Sequence, residues 1–425
     1  MKRTPLDRWI GTKIDRPDSS LTRSQLDAYQ GQALGETVAW AQARSGFYRH
    51  LLADAPTIDG LSDLTKLPFT TADDIRREPL QLVCVSQDEI QRVVTLDTSG
   101  TTGSPKRLFF TRADQELTID FFHQGMTTFT DPGDRVLILL PAQTPGSVGD
   151  LLATALQRFN AVPVKYGPVV DPDAVLRVIR REAINVIVGV PVHLLALVRH
   201  DPTLKIKSVL FATDHVPDPI RAELEQMWDC QTYDHYGMTE MGLGGGVECA
   251  ARRGYHLREA DLLFEIVDPH TGEPQPEGDY GEIVFTTLTR RGMPLIRYRT
   301  GDWGRFIPGA CPCGTVLKTL ERVQARVNGR FTVKGGILTL ADLDRVLFGL
   351  PQVANYHAAL IKGFFHDCLQ LNIQARELDL LPVAAALNAH VPQVAGLEIG
   401  FREVEVIPLT MAKRVLIDNR MTNHE

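Results

Sequence analysis

The spacing of apolar positions changes along the chain, and each change predicts a different kind of element. Over residues 21–55, "LDAYQGQALGETVAWAQARSGFYRHLL" carries apolar residues at helical spacing. Next, "LTKLPFTTADDIRREP" predicts a linker and a capped helix, with Thr71 as cap and Asp73 and Asp74 in the first turn. From about 92 to 235 the pattern alternates. Strand-like runs "RVVTL", "VLILL", "VIVGV" and "SVLFAT" are interleaved with helical "GDLLATALQRF", "PDAVLRVIRREA" and "PDPIRAELEQMW". Such alternation predicts parallel α/β units. Over about 260–325 the texture becomes β-rich, with "DLLFEIVD" and "GEIVFTTL" joined by the Pro/Gly-rich "PHTGEPQPEGDY". After Arg326 a compact tail predicts strand "RFTVKGG", helix "ADLDRVLFGL", a strand near "YHAALI", a helix around "LLPVAAALNAHV" and strand "FREVEVI". The expected fold class is α/β. A large N-terminal domain over 1–325 combines parallel-sheet subdomains with a β-rich one, and a small α+β domain follows over 326–425.

Composition narrows the function. The chain has 425 residues, 44% apolar and 23% charged, which is the globular range. A net charge of -7 argues against a general nucleic-acid binder. No apolar run reaches the roughly 18 residues needed to span a membrane, and "INVIVGVPVHLLALV" is broken by Gly189, Pro191 and His193. The first residues lack the apolar core of a signal peptide, so a soluble cytoplasmic protein is expected. Disulfides are then not expected among the six cysteines.

The densest chemistry lies at "TSGTTGSPK", Thr98 to Lys106. Backbone N–H groups of a Gly-rich turn form an anion-binding concavity, hydroxyls add donors, and Lys106 adds a cation. The loop follows a predicted strand, where ligands of α/β sheets usually sit. It does not fit the Gly-x-x-x-x-Gly-Lys-Ser/Thr pattern.

This string resembles the phosphate loop of the adenylate-forming superfamily, which includes acyl-CoA synthetases, nonribosomal adenylation domains and luciferases. "DHYGMTEMG" (234–242) and "IRYRTGDWGRF" (296–306) resemble two further motifs of that superfamily, in the same order. "SGFYRHLL…LSDLTKLPFTTADDIR", "VGVPVHLLALVRH", "VECAARRGYHL" and "CPCGTVLK" are similar to segments of the phenylacetate–CoA ligase family. The resemblance implies AMP-forming activation of an aryl or arylacetic carboxylate by ATP, then transfer to coenzyme A. It implies that Thr98, Ser99, Gly100, Thr101, Thr102 and Gly103 hold the β/γ-phosphates and that Lys106 neutralises them. Thr239 would contact the α-phosphate, Glu240 would hold Mg²⁺, and Tyr236, beside Gly237, would stack on adenine. Asp302 would accept both ribose hydroxyls, with Arg299 and Arg326 as further nucleotide contacts. His235, Met241, Gly244 and Gly245 would line the acyl pocket. The small C-terminal domain would be a mobile lid, and a homodimer is expected on resemblance alone.

Cys249, His256, Cys311 and Cys313 make a Cys₃His set, which suits a closed structural zinc site. The residues by themselves leave open a pair of unrelated thiols; the family's cysteine signatures favour zinc. Two departures bear on turnover. The hinge string reads "ARVNGR" where the family has Gly-Arg-x-Asp-Asp, although Asn328 and Gly329 would still permit a swivel. In "TMAKRV" (410–415), Met411 stands where the family has its catalytic lysine. Three readings follow. Lys413 substitutes; or adenylation is slow or uses another cation; or the chain is an impaired nucleotide- or acyl-binding homologue.

Overall fold

A computed structural model describes residues 2–16, 21–96, 105–375 and 379–420. The predicted phosphate-loop residues Thr98, Ser99, Gly100, Thr101, Thr102 and Gly103 lie outside the described residues. By contact the chain divides into two compact units.

The first unit comprises Met1–Gly133, Ala142–Pro163 and Tyr233–Val323. Its helical start runs Arg23–Arg44 and Gly46–Leu51, so the predicted helix is interrupted at Ser45, which caps the second piece through Tyr48 N. Thr71 caps Ala72–Arg77 as expected. Its hydroxyl accepts from Asp74 N, while the Asp74 carboxylate accepts from Thr71 N at 2.9 Å, a reciprocal box. The β-rich stretch is an antiparallel sheet of Leu262–Val267, Gly281–Thr287 and Tyr298–Gly304. Phe264, Phe285 and Tyr298 from its strands join Leu34, Val38 and Tyr48 of the N-terminal helices in one core. Full burial of each such side chain contributes about 1.5–3 kcal/mol.

The strand before the phosphate loop exists, but its setting differs from the parallel sheet expected. Ile90–Leu96 pairs antiparallel with Lys106–Thr111, with Leu96 opposite Lys106. Lys106 therefore opens the strand that returns antiparallel to Ile90–Leu96. The short apolar run 92–96 carried no information about its partner, which is why sequence spacing misplaced it.

The second unit comprises Asp134–Pro141, Val164–Thr232 and Gln324–Glu425. Arg135–Ile138, Val186–Gly189 and Ser208–Phe211 form a parallel sheet in register Val136↔Val186↔Ser208. Helices Pro172–Arg181 and Asp218–Trp228 follow the predicted segments, and Pro191–His200, not among them, follows strand Val186–Gly189. The tail builds a four-stranded sheet in the order Glu398–Glu403, Cys368–Ala375, Val353–Ile361, Leu416–Asp418. Cys368–Ala375 was not predicted, although "CLQLNIQA" alternates apolar and polar residues at a strand period. One core spans this unit, from Phe211, Leu224 and Trp228 to Leu347, Tyr356 and Leu371. Residues 324 onward thus share this core with 164–232.

Candidate active site

Four separate segments of the first unit meet at Glu240. Strand Gln231–Tyr236 ends in a tight turn, and Thr239–Met241 forms a single 3₁₀ turn. Glycine is required at 237, because a Cβ there would lie 2.2 Å from the Leu243 carbonyl oxygen. The turn buries Glu240 at 3% exposure. Its Oε1 meets the Lys106 ammonium from the hairpin. The same oxygen accepts the Tyr298 hydroxyl at 3.2 Å. Arg290 Nη1 donates to the Glu240 carbonyl oxygen at 2.6 Å and lies over the Phe110 ring. Burial alone would raise the Glu240 carboxyl, but the adjacent Lys106 ammonium outweighs it and holds the group below the usual carboxylate range. Thr239 is half-buried at the start of the turn.

Strand Tyr298–Gly304 alternates buried and half-buried positions. A period of two places Tyr298 and Asp302 on the same face and Arg299 on the other. Asp302, 3% exposed, accepts the Tyr236 hydroxyl at Oδ2 from 3.0 Å. Tyr236 is itself buried and stacks on Tyr255, centroids 5.8 Å apart. Arg299 turns away. It pairs with Glu282 and donates to the Pro269 carbonyl oxygen at 2.6 Å. Arg326 is exposed in the second unit.

Of the predicted acyl-pocket residues, Met241 is buried, and Gly244 is where a Cβ would lie 2.4 Å from Phe121. A Cβ at Gly245 would meet Met241 Sδ at 2.7 Å. His235 packs beside Phe121 and Phe122, and burial pushes its pKa down to about 4. Its Nε2 has no hydrogen-bond partner among the described residues. Sequence reasoning missed three residues, Arg258, Arg290 and Tyr298. Arg258 is 3% exposed, donates its backbone N–H to Gly245 O at 2.9 Å, and leaves Nε and Nη1 without hydrogen bonds among the described residues. Tyr298 sits inside a recognised motif and was legible from its period-two relation to Asp302; Arg290 and Arg258 had no local signal. On the outer face of the hairpin, a groove of about 590 Å³ is lined by Arg77, Leu80, Val93, Thr95, Arg107 and Phe109.

Away from Glu240, the four predicted metal ligands converge. Cys249, His256, Cys311 and Cys313 are all buried, with ligand atoms within 4.8 Å of one another. Cys249 Sγ and Cys311 Sγ are 3.7 Å apart, and Cys313 Sγ is 3.4 Å from His256 Nε2. A tetrahedral zinc with Zn–S of about 2.3 Å and Zn–N of about 2.0 Å requires edges of about 3.8 and 3.5 Å. The donor set and its spacing therefore fit that ion. Ala251 N–H points at Cys249 Sγ from 3.3 Å, and His256 Nδ1 faces the Lys318 carbonyl.

In the second unit, Lys413 is exposed and Met411 is half-buried, on a segment without regular structure. No helix among the described residues is long and apolar enough to cross a membrane.

Comparison with known proteins fixes the class. The chain matches a crystal structure of 2-hydroxyisobutyryl-CoA ligase in the postadenylation state, in complex with R3-HIB-AMP, with a TM-score of 0.80 at 21% identity, covering 94% of this chain and 91% of that one. An anthranilate CoA ligase in complex with anthranoyl-AMP matches with a TM-score of 0.58 at 14% identity, covering 97% and 94%. The fold is that of adenylate-forming CoA ligases. The chain belongs to the family of AMP-binding enzymes, whose model matches residues 51–288, more than half its length. Phenylacetate-coenzyme A ligase of Thermus thermophilus is 29% identical over 81% of this chain and 80% of the relative. That of Escherichia coli K12 is 25% identical over 87% and 86%.

Proposed function

We infer that the protein is an AMP-forming acid–coenzyme A ligase acting on an aryl or arylacetic acid. The acid's carboxylate attacks the α-phosphorus of ATP, giving acyl-adenylate and pyrophosphate; the thiol of coenzyme A then displaces AMP. The observation that carries this reading is the Lys106–Glu240–Tyr298 contact, with Asp302 buried on the same strand face as Tyr298, within a chain of the AMP-binding family.

The pairing of Lys106 with Glu240 has a mechanistic use. Each is the counter-ion of one half of a magnesium–polyphosphate: Lys106 suits the phosphates and Glu240 suits the metal. In this reading the substrate exchanges one buried pair for two, so neither charge is left uncompensated. Residues 98–103 would supply backbone and hydroxyl donors to the β/γ-phosphates, and Thr239 would face the α-phosphate. Phosphoryl activation of this kind needs positioning and charge stabilisation rather than covalent help. Mg²⁺, a hard cation with oxygen ligands, would spread the charge of the leaving pyrophosphate. Asp302 would accept ribose hydroxyls, with Tyr236 orienting its carboxylate, and Arg299 and Arg326 are further nucleotide candidates. His235, Met241, Gly244 and Gly245 would bound the acyl group.

Zinc at Cys249, His256, Cys311 and Cys313 is proposed as structural, because four protein ligands leave no open position. Residues 326–425 are proposed as the lid, with Lys413 as its cation. Met411 favours a second reading, a homologue that binds nucleotide and acyl group with little turnover. Pyrophosphate exchange over a panel of aryl, arylacetic and aliphatic acids decides between them. Acid-dependent exchange followed by thioester formation supports the ligase. ATP binding without exchange on any acid supports the binder.

A further inference from the structure

The segment that carries Met411 and Lys413 is irregular, yet it is fastened at both ends. His193, on helix Pro191–His200, meets the Thr410 carbonyl oxygen through Nε2 at 3.0 Å. A carbonyl only accepts, so Nε2 carries the proton and donates. The His193 ring is 1% exposed, and its Nδ1 has no hydrogen-bond partner among the described residues. Burial pushes its pKa down, which keeps the ring neutral with that proton in place. At the other end, Arg414 N–H donates to Asp214 Oδ2 at 3.1 Å. The Arg414 guanidinium donates to Asp344 Oδ1 at 2.6 Å and lies over the rings of Phe348 and Tyr356. Asp344 is fully buried and also receives the Tyr356 hydroxyl, with His215 Nε2 3.7 Å from its second oxygen. Between these fastenings Ala412 and Lys413 are exposed.

We propose that His193 and Asp214 are positioning residues that hold residues 410–414 so that Lys413 presents the cation for adenylate formation. The proposal rests on the ligase reading above. A long lysine on a slack backbone would have to order both chain and side chain at every turnover. Here the backbone on either side is already fixed by buried partners, so only the Lys413 side chain remains to be placed.

The test uses the full chain and two readouts. In His193→Ala, amide hydrogen exchange over 411–414 should speed up about tenfold relative to wild type, as for a locally released segment. The pyrophosphate-exchange kcat should fall about tenfold with the KM for ATP unchanged. Thioester formation from supplied acyl-adenylate should be unaffected. His193→Gln, whose amide N–H can still reach the Thr410 carbonyl, should restore both readouts, and Asp214→Ala should repeat the loss. Unchanged protection over 411–414, equal loss of both half-reactions, or no rescue by glutamine would each overturn the proposal. A wild type without exchange on any acid would sink the ligase reading instead, and would remove Lys413 from catalysis. The hydrogen-exchange result would still show whether the clamp exists.

Discussion

The Lys106–Glu240 pair yields a quantitative prediction. Glu240 is 4% exposed at its side chain and Lys106 18%, so water screens the pair weakly. At an effective dielectric near 20, unit charges about 4 Å apart attract by about 4 kcal/mol. Removing one member of a buried pair typically costs about 3–5 kcal/mol. Lys106→Met should therefore destabilise the protein by about 3–5 kcal/mol, because it strands the more buried charge. Glu240→Gln should cost less, about 1–3 kcal/mol, because the stranded ammonium reaches solvent. The double variant should cost clearly less than the sum, with a coupling of about 1–3 kcal/mol. Urea unfolding of the four proteins at fixed salt gives these values. The pH dependence adds a sign. Glu240 is held below its usual 4.5, so the pair's contribution is fully present above about pH 4.5 and is lost as pH falls through the depressed value. Without Lys106, burial, the largest influence on Glu240, acts unopposed by that ammonium and raises its carboxyl. The gap between wild type and Lys106→Met should then be constant from about pH 6 to 8 and shrink towards pH 4. Additive single-variant costs, or a gap that widens in acid, would refute the pairing as described.

Further outcomes follow from the other sites. Asp302→Asn should raise the KM for ATP about 10- to 100-fold, the worth of a hydrogen bond to a charged acceptor; an unchanged KM in steady-state kinetics removes Asp302 from the nucleotide site. Metal analysis of the wild type should find about one zinc per chain, and Cys313→Ser should lose it together with several degrees of melting temperature; a zinc-free wild type with intact thiols ends the metal reading. Lys413→Met should lower pyrophosphate exchange about 100-fold, and adding Met411→Lys to that background should recover part of it. Exchange indifferent to both changes excludes this segment as the source of the cation.

Local structure was largely legible in the sequence, and partnership was not. The Thr71 box, the parallel strands from Arg135 to Phe211 and the antiparallel pair Leu262–Thr287 follow from caps and periods that act over a few residues. The convergence of Cys249, His256, Cys311 and Cys313 was legible as well, because two short clusters announce one another through their chemistry. What was not legible is which charge finds which. Lys106 and Glu240 lie 134 residues apart, and His193 and Thr410 lie 217 apart. No local propensity encodes those meetings. Arg299 is the converse case: its motif implies a nucleotide contact, and the strand's own alternation places it against Glu282, on the face opposite Asp302.

The hairpin gives the site its logic. The pairing Leu96↔Lys106 sets the register of Lys106 at the first step of the return strand. Alternation then decides what the return strand offers to each side. Lys106 reaches inward to Glu240, while the next residue, Arg107, is exposed beside the outer groove. The inward cation is thus fixed by strand geometry. A Lys106→Arg variant should keep the charge but not the fit, because a planar fork replaces a compact ammonium at an enclosed oxygen. Its stability should stay within about 1–2 kcal/mol of wild type, since a cation still faces Glu240. Its exchange rate should nonetheless fall well below that of wild type. Equal activity in the two proteins would mean that charge alone, and not the position set by the hairpin, is what the reaction uses.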